Sequence, residues 1–220
     1  LLIFAGIVSN LFNGVTGNIY TAVANGTAAL HVACLAAGIK PGDEVIVSPI
    51  TFAASANCVR YCGGTPVFAD IDPKTWNIDP ASIREKLTDK TKAIVAVDFG
   101  GVHVDSSEIR KICDERGLTF IEDAAHAMGT CHNGTAVGSI ADMTTFSFHP
   151  VKTITTGEGG AVATNDPELG ETIELYAKHG ITRDHGLMRE KDQGGWYYEQ
   201  LVLGYNYRIS DIEASLGVSQ

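Results

Sequence analysis

The 220-residue sequence has little that would take it into a membrane. Its apolar opening, Leu1 to Val8, is only eight residues long, whereas a spanning helix needs about 20. That opening also lacks a basic leading segment, so no targeting signal is read and the cytoplasm is the default location. A chain that starts at Leu1 also fits one that has lost an N-terminal piece. Basic residues are scarce: 16 Lys plus Arg stand against 26 Asp plus Glu, a formal charge of −10. That balance argues against a general nucleic-acid or anionic-membrane partner. It leaves open an anionic small molecule, which a single arginine or a helix terminus can hold. Cysteine is sparse as well, with five residues and no CxxC pair. Cys58 and Cys62 lie four apart with nothing nearby to complete a zinc set, so no metal is expected and the thiols read as reduced and mostly buried. In a reducing compartment the sequons at Asn25 and Asn133 carry little weight. Repeats and low-complexity linkers are missing too, and the 24 glycines follow no collagen period. They mark turns and close backbone approach.

What remains is ordinary soluble composition, 45% hydrophobic and 19% charged, in a chain long enough for one substantial core with an appendage. Residues 1–20 are poorly punctuated and read as an N-terminal arm or remnant. The pattern then alternates. Helices are expected at Thr27 to Gly38, Thr51 to Tyr61, Ala81 to Leu87, Glu108 to Arg116 and Pro167 to Lys178. Strands are expected at Glu44 to Ser48, Thr65 to Asp70, Lys92 to Asp98, Leu118 to Glu122, Asp142 to Phe148 and Gly160 to Thr164. Such alternation predicts an α/β fold with a mostly parallel central sheet flanked by helices. After Gly180 the composition shifts to a loop carrying Trp196-Tyr197-Tyr198, Tyr205 and Tyr207, suited to a substrate mouth or a subunit contact. A helix begins at Ser210.

The stretch Leu118 to Thr164 organises the rest. A carboxylate, Asp123, ends one apolar strand, and Lys152 lies just beyond another. Open α/β folds place chemistry at the carboxyl edge of the sheet. One lysine, one buried carboxylate and a small-residue crevice suit a bound electrophile such as pyridoxal phosphate. The plainer alternative is a surface lysine after a core strand. Asn25-Gly26-Thr27 opens a helix, where unpaired N–H groups and a hydroxyl suit a phosphate. An ordinary helix cap satisfies the same tripeptide.

Seven blocks, in order, carry a resemblance across roughly residues 22–219. They are Ala24-Asn-Gly-Thr-Ala-Ala-Leu-His31, Pro49-Ile-Thr-Phe-Ala53, Phe68-Ala-Asp-Ile-Asp72, Ile121-Glu-Asp-Ala-Ala-His126, Phe146-Ser-Phe-His-Pro-Val-Lys152, Thr156-Gly-Glu-Gly-Gly160 and Gly204-Tyr-Asn-Tyr-Arg208. Together they resemble the sugar aminotransferases of the DegT/DnrJ/EryC1/StrS family, within the fold type I pyridoxal-phosphate enzymes.

The resemblance implies a cofactor, pyridoxal 5'-phosphate, and assigns positions to it. Lys152 matches the lysine that binds the cofactor covalently and shuttles protons. Asp123 matches the acid paired with the pyridine nitrogen, against a plain turn-capping role. His126 falls near the cofactor's 3-hydroxyl position, against a satisfied structural histidine. Phe52 matches the ring-stacking aromatic, against a core phenylalanine. Gly26, Thr27, Ala28 and Ser147 match the phosphate cradle. Asn206 matches an asparagine reaching the partner subunit's cofactor phosphate, against an Asx turn, and so implies a homodimer with shared sites.

The retained Lys152 distinguishes the chain from related sugar dehydratases that carry histidine there. Lys178-His-Gly-Ile-Thr-Arg-Asp184 with Gly195-Trp-Tyr-Tyr-Glu-Gln200 looks most like the branch acting on UDP-linked 4-keto-6-deoxy-N-acetylhexosamines in the pseudaminic acid pathway, with glutamate as amino donor. The expected layout is an arm at 1–20, a cofactor-binding large domain at 21–180, and an aromatic loop with a truncated helix at 181–220. A smaller C-terminal domain is absent from this layout. Gly101-Val-His-Val-Asp105 departs from the family's usual loop while keeping Asp105. Two other readings stand beside the leading one: a transaminase for another keto sugar, and a catalytically silent cofactor-binding or structural fragment.

Overall fold

The computed structural model describes residues 19–132, 134–190 and 193–220. The sequon at Asn133 and residues 1–18 of the expected arm lie outside them. Seven strands form the main sheet: β1 (Ile19–Val23), β2 (Glu44–Val47), β3 (Thr65–Phe68), β4 (Thr91–Val97), β5 (Thr119–Asp123), β8 (Met143–Ser147) and β9 (Gly160–Thr164). The hairpin β6 (Cys131–His132) and β7 (Thr135–Ala136) lies between β5 and β8 in the chain, and β10 (Ile181–Thr182) pairs β11 (Glu199–Gln200). The main order is β1-β9-β8-β5-β4-β2-β3. From β8 to β3 all neighbours are parallel, while β9 runs antiparallel to both β8 and β1. Only β9 therefore opposes the common direction. Ile19 and Tyr20, at the end of the expected arm, belong to β1 and pair with Thr164 and Ala163.

The strands form where β-branched residues run together, and period-two alternation sends them to two cores. Val45, Val47, Ala93, Val95 and Ile121 face one apolar cluster, and Ile46, Ile94, Ala96 and Phe120 face the other. Each fully buried aliphatic or aromatic side chain contributes roughly 1.5–3 kcal/mol. On the first face pack α1 (Gly26–Ala36), α2 (Ala54–Tyr61) and α5 (Pro167–Ala177). On the second lie α3 (Pro80–Lys86) and α4 (Ser106–Arg116). The last helix, α6 (Asp211–Gly217), contributes Ala214 to a third cluster with Phe146, Phe148 and Ile209. Ile209 and Ala214 thus pack against the sheet that precedes them.

Helix starts obey local capping chemistry. Asp79 accepts from Ala81 N with Pro80 in the first turn, and Asp166 caps α5 ahead of Pro167. Ser210 and Glu213 make a reciprocal capping box on α6. Asp105 caps α4, which moves its start from the expected Glu108 to Ser106. The helix expected from Thr51 begins at Ala54, and the strand expected to reach Asp70 ends at Phe68. The cysteines are free thiols. Cys62 lies just past α2, and the neighbour of Cys58 is Cys34, with sulfurs 3.4 Å apart.

Candidate active site

The carboxyl ends of β1, β2, β5 and β8 meet at one sheet edge, and the residues singled out from sequence follow those ends. Asp123 terminates β5 with 4% of its surface exposed. Its Oδ2 accepts from Ser55 Oγ at 2.7 Å, and its Oδ1 accepts from Ala125 N at 3.3 Å. Ser55 Oγ lies 2.7 Å from Thr51 Oγ1, so Thr51 donates when Ser55 gives its proton to the carboxylate. Burial pushes the Asp123 carboxyl above its ordinary range; the Ser55 and Ala125 hydrogen bonds, with Lys152 and His126 nearby, pull the other way.

Lys152 sits in the turn after β8, its N–H donating to His149 O at 2.9 Å. Lys152 Nζ lies 2.7 Å from His126 Nε2. Burial lowers the Lys152 ammonium, opposed by Asp123. Burial, then the charge of Lys152, lowers His126. Two cations do not share a 2.7 Å contact cheaply, so Lys152 and His126 hold at most one positive charge between them. Asp123, His126 and Lys152 therefore form one electrostatic group.

A second set of candidates gathers at the start of α1. Asn25 Oδ1 accepts from Ala28 N at 2.8 Å, so the ordinary cap is present and occupies the Ala28 N–H. Gly26 packs directly on Ser147: a Cβ placed there would lie 2.9 Å from Ser147 Cβ. Thr27 follows, half-buried. Because Asp123 pairs with Thr145 across β5 and β8, Ser147 lies along the same edge as the carboxylate.

Phe52 lies in the loop between β2 and α2 with 79% of its surface exposed, which excludes the core reading within this chain. Asn206 is exposed and forms an isolated backbone bridge with Lys178. Among the described residues no hydrogen bond joins it to the Asp123 group. Its neighbours Tyr205 and Tyr207 stack at 5.0 Å and pack on buried His31, whose Nδ1 lies 3.1 Å from the Tyr207 hydroxyl. Sequence reasoning missed Ser55. Its pairing with a carboxylate 68 residues away leaves no local periodic mark.

In comparison with known proteins, the chain matches the DegT/DnrJ/EryC1/StrS aminotransferase family over residues 12–220. It is 44% identical over 196 residues to the GDP-perosamine synthase of Caulobacter vibrioides, covering 89% of this chain and 50% of that protein. It is 42% identical over 197 residues to the UDP-4-amino-4,6-dideoxy-N-acetyl-beta-L-altrosamine transaminase of Campylobacter jejuni, covering 88% and 50%. Among solved structures, NtdA from Bacillus subtilis with bound cofactor PMP superposes with a TM-score of 0.83 at 32% identity, covering 99% of this chain and 46% of that one. The chain spans about half the length of these curated relatives. A match over nearly its whole length, on a sheet that gathers the matched blocks at one edge, means that the chain belongs to the DegT/DnrJ/EryC1/StrS aminotransferase family.

Proposed function

We propose that this chain binds pyridoxal 5'-phosphate through Lys152 and serves the transfer of an amino group from glutamate to a keto sugar carried on a nucleotide. The observation that carries the reading is the buried, hydrogen-bonded Asp123 carboxyl beside the Lys152–His126 pair at the carboxyl edge of the sheet. The residues fit the cofactor. Gly26 sets the start of α1 directly against the Ser147 hydroxyl, so a helix N-terminus and a hydroxyl stand together for a phosphate, and Phe52 offers an exposed ring. When bound, the cofactor supplies an electron sink for carbanion chemistry at the amino-bearing carbon.

The chain's own groups then have distinct tasks. Ser55 and Ala125 fix both oxygens of Asp123, so its charge is aimed without reorganisation and can hold a pyridine N–H proton. Burial lowers the cost of releasing a proton from Lys152 Nζ, and so of reaching the free amine that attacks an electrophile or accepts a proton. His126 Nε2 orients that amine and sits where a hydroxyl proton can be shared. Gly26, Thr27 and Ser147 hold the phosphate with backbone N–H groups and hydroxyls, and Ala28 joins them once Asn25 releases its cap. Asn206 reaches the phosphate of a second copy, making the working unit a homodimer. The 181–220 segment belongs to the substrate side, beside a large domain at 21–180, in a cytoplasmic enzyme.

For the substrate we retain a UDP-linked 4-keto-6-deoxy-N-acetylhexosamine, supported by the Lys178 to Asp184 and Gly195 to Gln200 segments and the name of the Campylobacter relative. The Caulobacter relative's name, at similar identity, favours a GDP-linked keto sugar as the second reading.

Borohydride reduction of the cofactor-loaded chain, followed by peptide mapping, tests the core of the proposal. The adduct should map to Lys152 and disappear in Lys152→Ala; an adduct on another lysine overturns the assignment. Glutamate-dependent turnover of UDP- and GDP-linked keto sugars separates the two substrate readings.

A further inference from the structure

Behind Asp123 lies a second cluster of titratable side chains. Asp98 follows β4, Glu122 is the penultimate residue of β5, and His103 follows the tight turn Phe99–Gly101. All three are buried. His103 Nδ1 lies 3.3 Å from Asp98 Oδ1 and 3.2 Å from Glu122 Oε1, and its Nε2 lies 3.1 Å from Ser106 Oγ. Two buried carboxylates repel, and a positive ring between them offsets the repulsion. Burial opposes charge on His103, but the Asp98 and Glu122 carboxylates against its Nδ1 win and carry its pKa up to about 10. Burial pushes Asp98 up to about 6 against the pull of His103. Asp98 Oδ1 accepts from Val104 N at 2.9 Å, while Asp98 Oδ2 and Glu122 Oε1 meet no hydrogen-bond donor among the described residues, so a positive ring adds compensation where hydrogen bonds are few.

This cluster is tied to the site by short covalent and hydrogen-bonded links. Glu122 is bonded to Asp123, and Asp98 N donates to Asp123 O at 3.1 Å. Glu122 Oε2 accepts from Gly138 N at 2.7 Å and from Thr144 Oγ1 at 3.0 Å. Gly101, with φ of +86°, packs so closely that a Cβ there would lie 2.9 Å from His126 O. Thr130 Oγ1 donates to Gly101 O at 3.4 Å. The backbones carrying Asp123 and His126 are thus clamped to the loop that carries His103.

We propose that His103, bridging Asp98 and Glu122, is a positioning residue for Asp123 and His126. It holds the ends of β4 and β5 and the Gly101 turn in the arrangement that sets His126 against Lys152. The proposal rests on the amino-transfer reading for the task of the positioned groups; the clamp itself is a property of the chain.

The test is the titration of His126, followed by NMR in the cofactor-free chain and assigned with His126→Gln. Lys152 and Asp123 are the charged groups acting on that ring. In the wild-type chain its midpoint should lie below the ordinary value of about 6.5. His103→Gln, which keeps hydrogen-bonding capacity without charge, should move the midpoint upward by roughly half a unit or more as His126 leaves Lys152 for water. Asp98→Asn combined with His103→Gln removes one of the repelling carboxylates and keeps the test open if the single variant does not fold. A His126 midpoint within about 0.2 unit of wild type in a folded variant overturns the proposal. Loss of folding in both variants overturns it too, by assigning the cluster to stability alone. In the cofactor-loaded chain the glutamate half-reaction should slow about tenfold in His103→Gln at saturating glutamate. If no adduct forms on wild-type Lys152, the amino-transfer reading fails while the His126 titration still decides positioning.

Discussion

Replacing Ser55 with alanine isolates the charge on Asp123. The variant removes one oxygen from a fully buried position in α2 and with it the 2.7 Å hydrogen bond to Asp123 Oδ2. Hydrogen bonds to charged groups contribute about 1.5–3 kcal/mol. Losing a bond of that strength should push the carboxyl still higher than burial already does. The ionised form is the one that holds a pyridinium proton, and its stabilisation counts most when charge develops in the transition state. The half-reaction with glutamate should therefore fall about 10- to 100-fold, each tenfold step being about 1.4 kcal/mol.

Stopped-flow absorbance of the cofactor band at saturating glutamate measures that rate directly, and a melting curve checks that the variant is folded. Thr51→Ala is the matched control. It removes the hydroxyl 2.7 Å from Ser55 Oγ but leaves the Ser55–Asp123 bond in place, so its rate should stay within about threefold of wild type. A folded Ser55→Ala variant with an unchanged half-reaction would show that Ser55 does not set the charge of Asp123, and would refute the electrostatic account of the site.

Two further outcomes follow from the same geometry. His103 has a folded pKa of about 10 against 6.5 unfolded, so its stabilisation is full below 6.5 and lost as pH rises through 10. The melting temperature should accordingly fall between pH 7 and 8.5 in the wild-type chain, below the ordinary thiol pKa of 9.0, and fall less in His103→Gln; equal slopes would contradict a buried imidazolium. If Asn206 completes the partner's phosphate site, mixing Lys152→Ala with Asn206→Ala subunits should restore one unimpaired site per heterodimer and raise activity above either parent, measured on verified heterodimers.

Much of the fold was legible because its signals are local. Asp79-Pro80 and Asp166-Pro167 carry helix starts within themselves, and the β-branched run through β4 can bury both faces only as a central strand. Asp123 and Lys152 were legible for a related reason: each ends or follows an apolar strand, and strand ends define the sheet's carboxyl edge. β1 was harder because nothing in residues 1–18 punctuates its start, and its partner β9 comes more than a hundred residues later. Ser55 and His103 were not legible at all. Each matters through a partner brought near by strand pairing, β4 on β5 or α2 over β5, and such pairing is not written in the residues around either one.

The site accordingly has two parts with different origins. The Asp123–His126–Lys152 group comes from two short segments, held in place by the pairing of β4 with β5 and by the Gly101 turn against His126. The packing of Gly26 on Ser147 depends on topology, because it needs the one reversed strand. β9 inserts between β1 and β8, so Gly160 lies opposite Val23 on one side and Ser147 on the other. A Cβ at residue 160 would come within 2.6 Å of the Asn25 carbonyl, and one at residue 26 within 2.9 Å of Ser147 Cβ. Real Cβ atoms do not approach backbone that closely without moving it. The two glycines therefore let β1 and β8 close around β9, and this closure sets the start of α1 against the Ser147 hydroxyl. A chain with the same lysine and carboxylate but a side chain at either glycine would keep its electrostatic group and lose the close packing of α1 against Ser147.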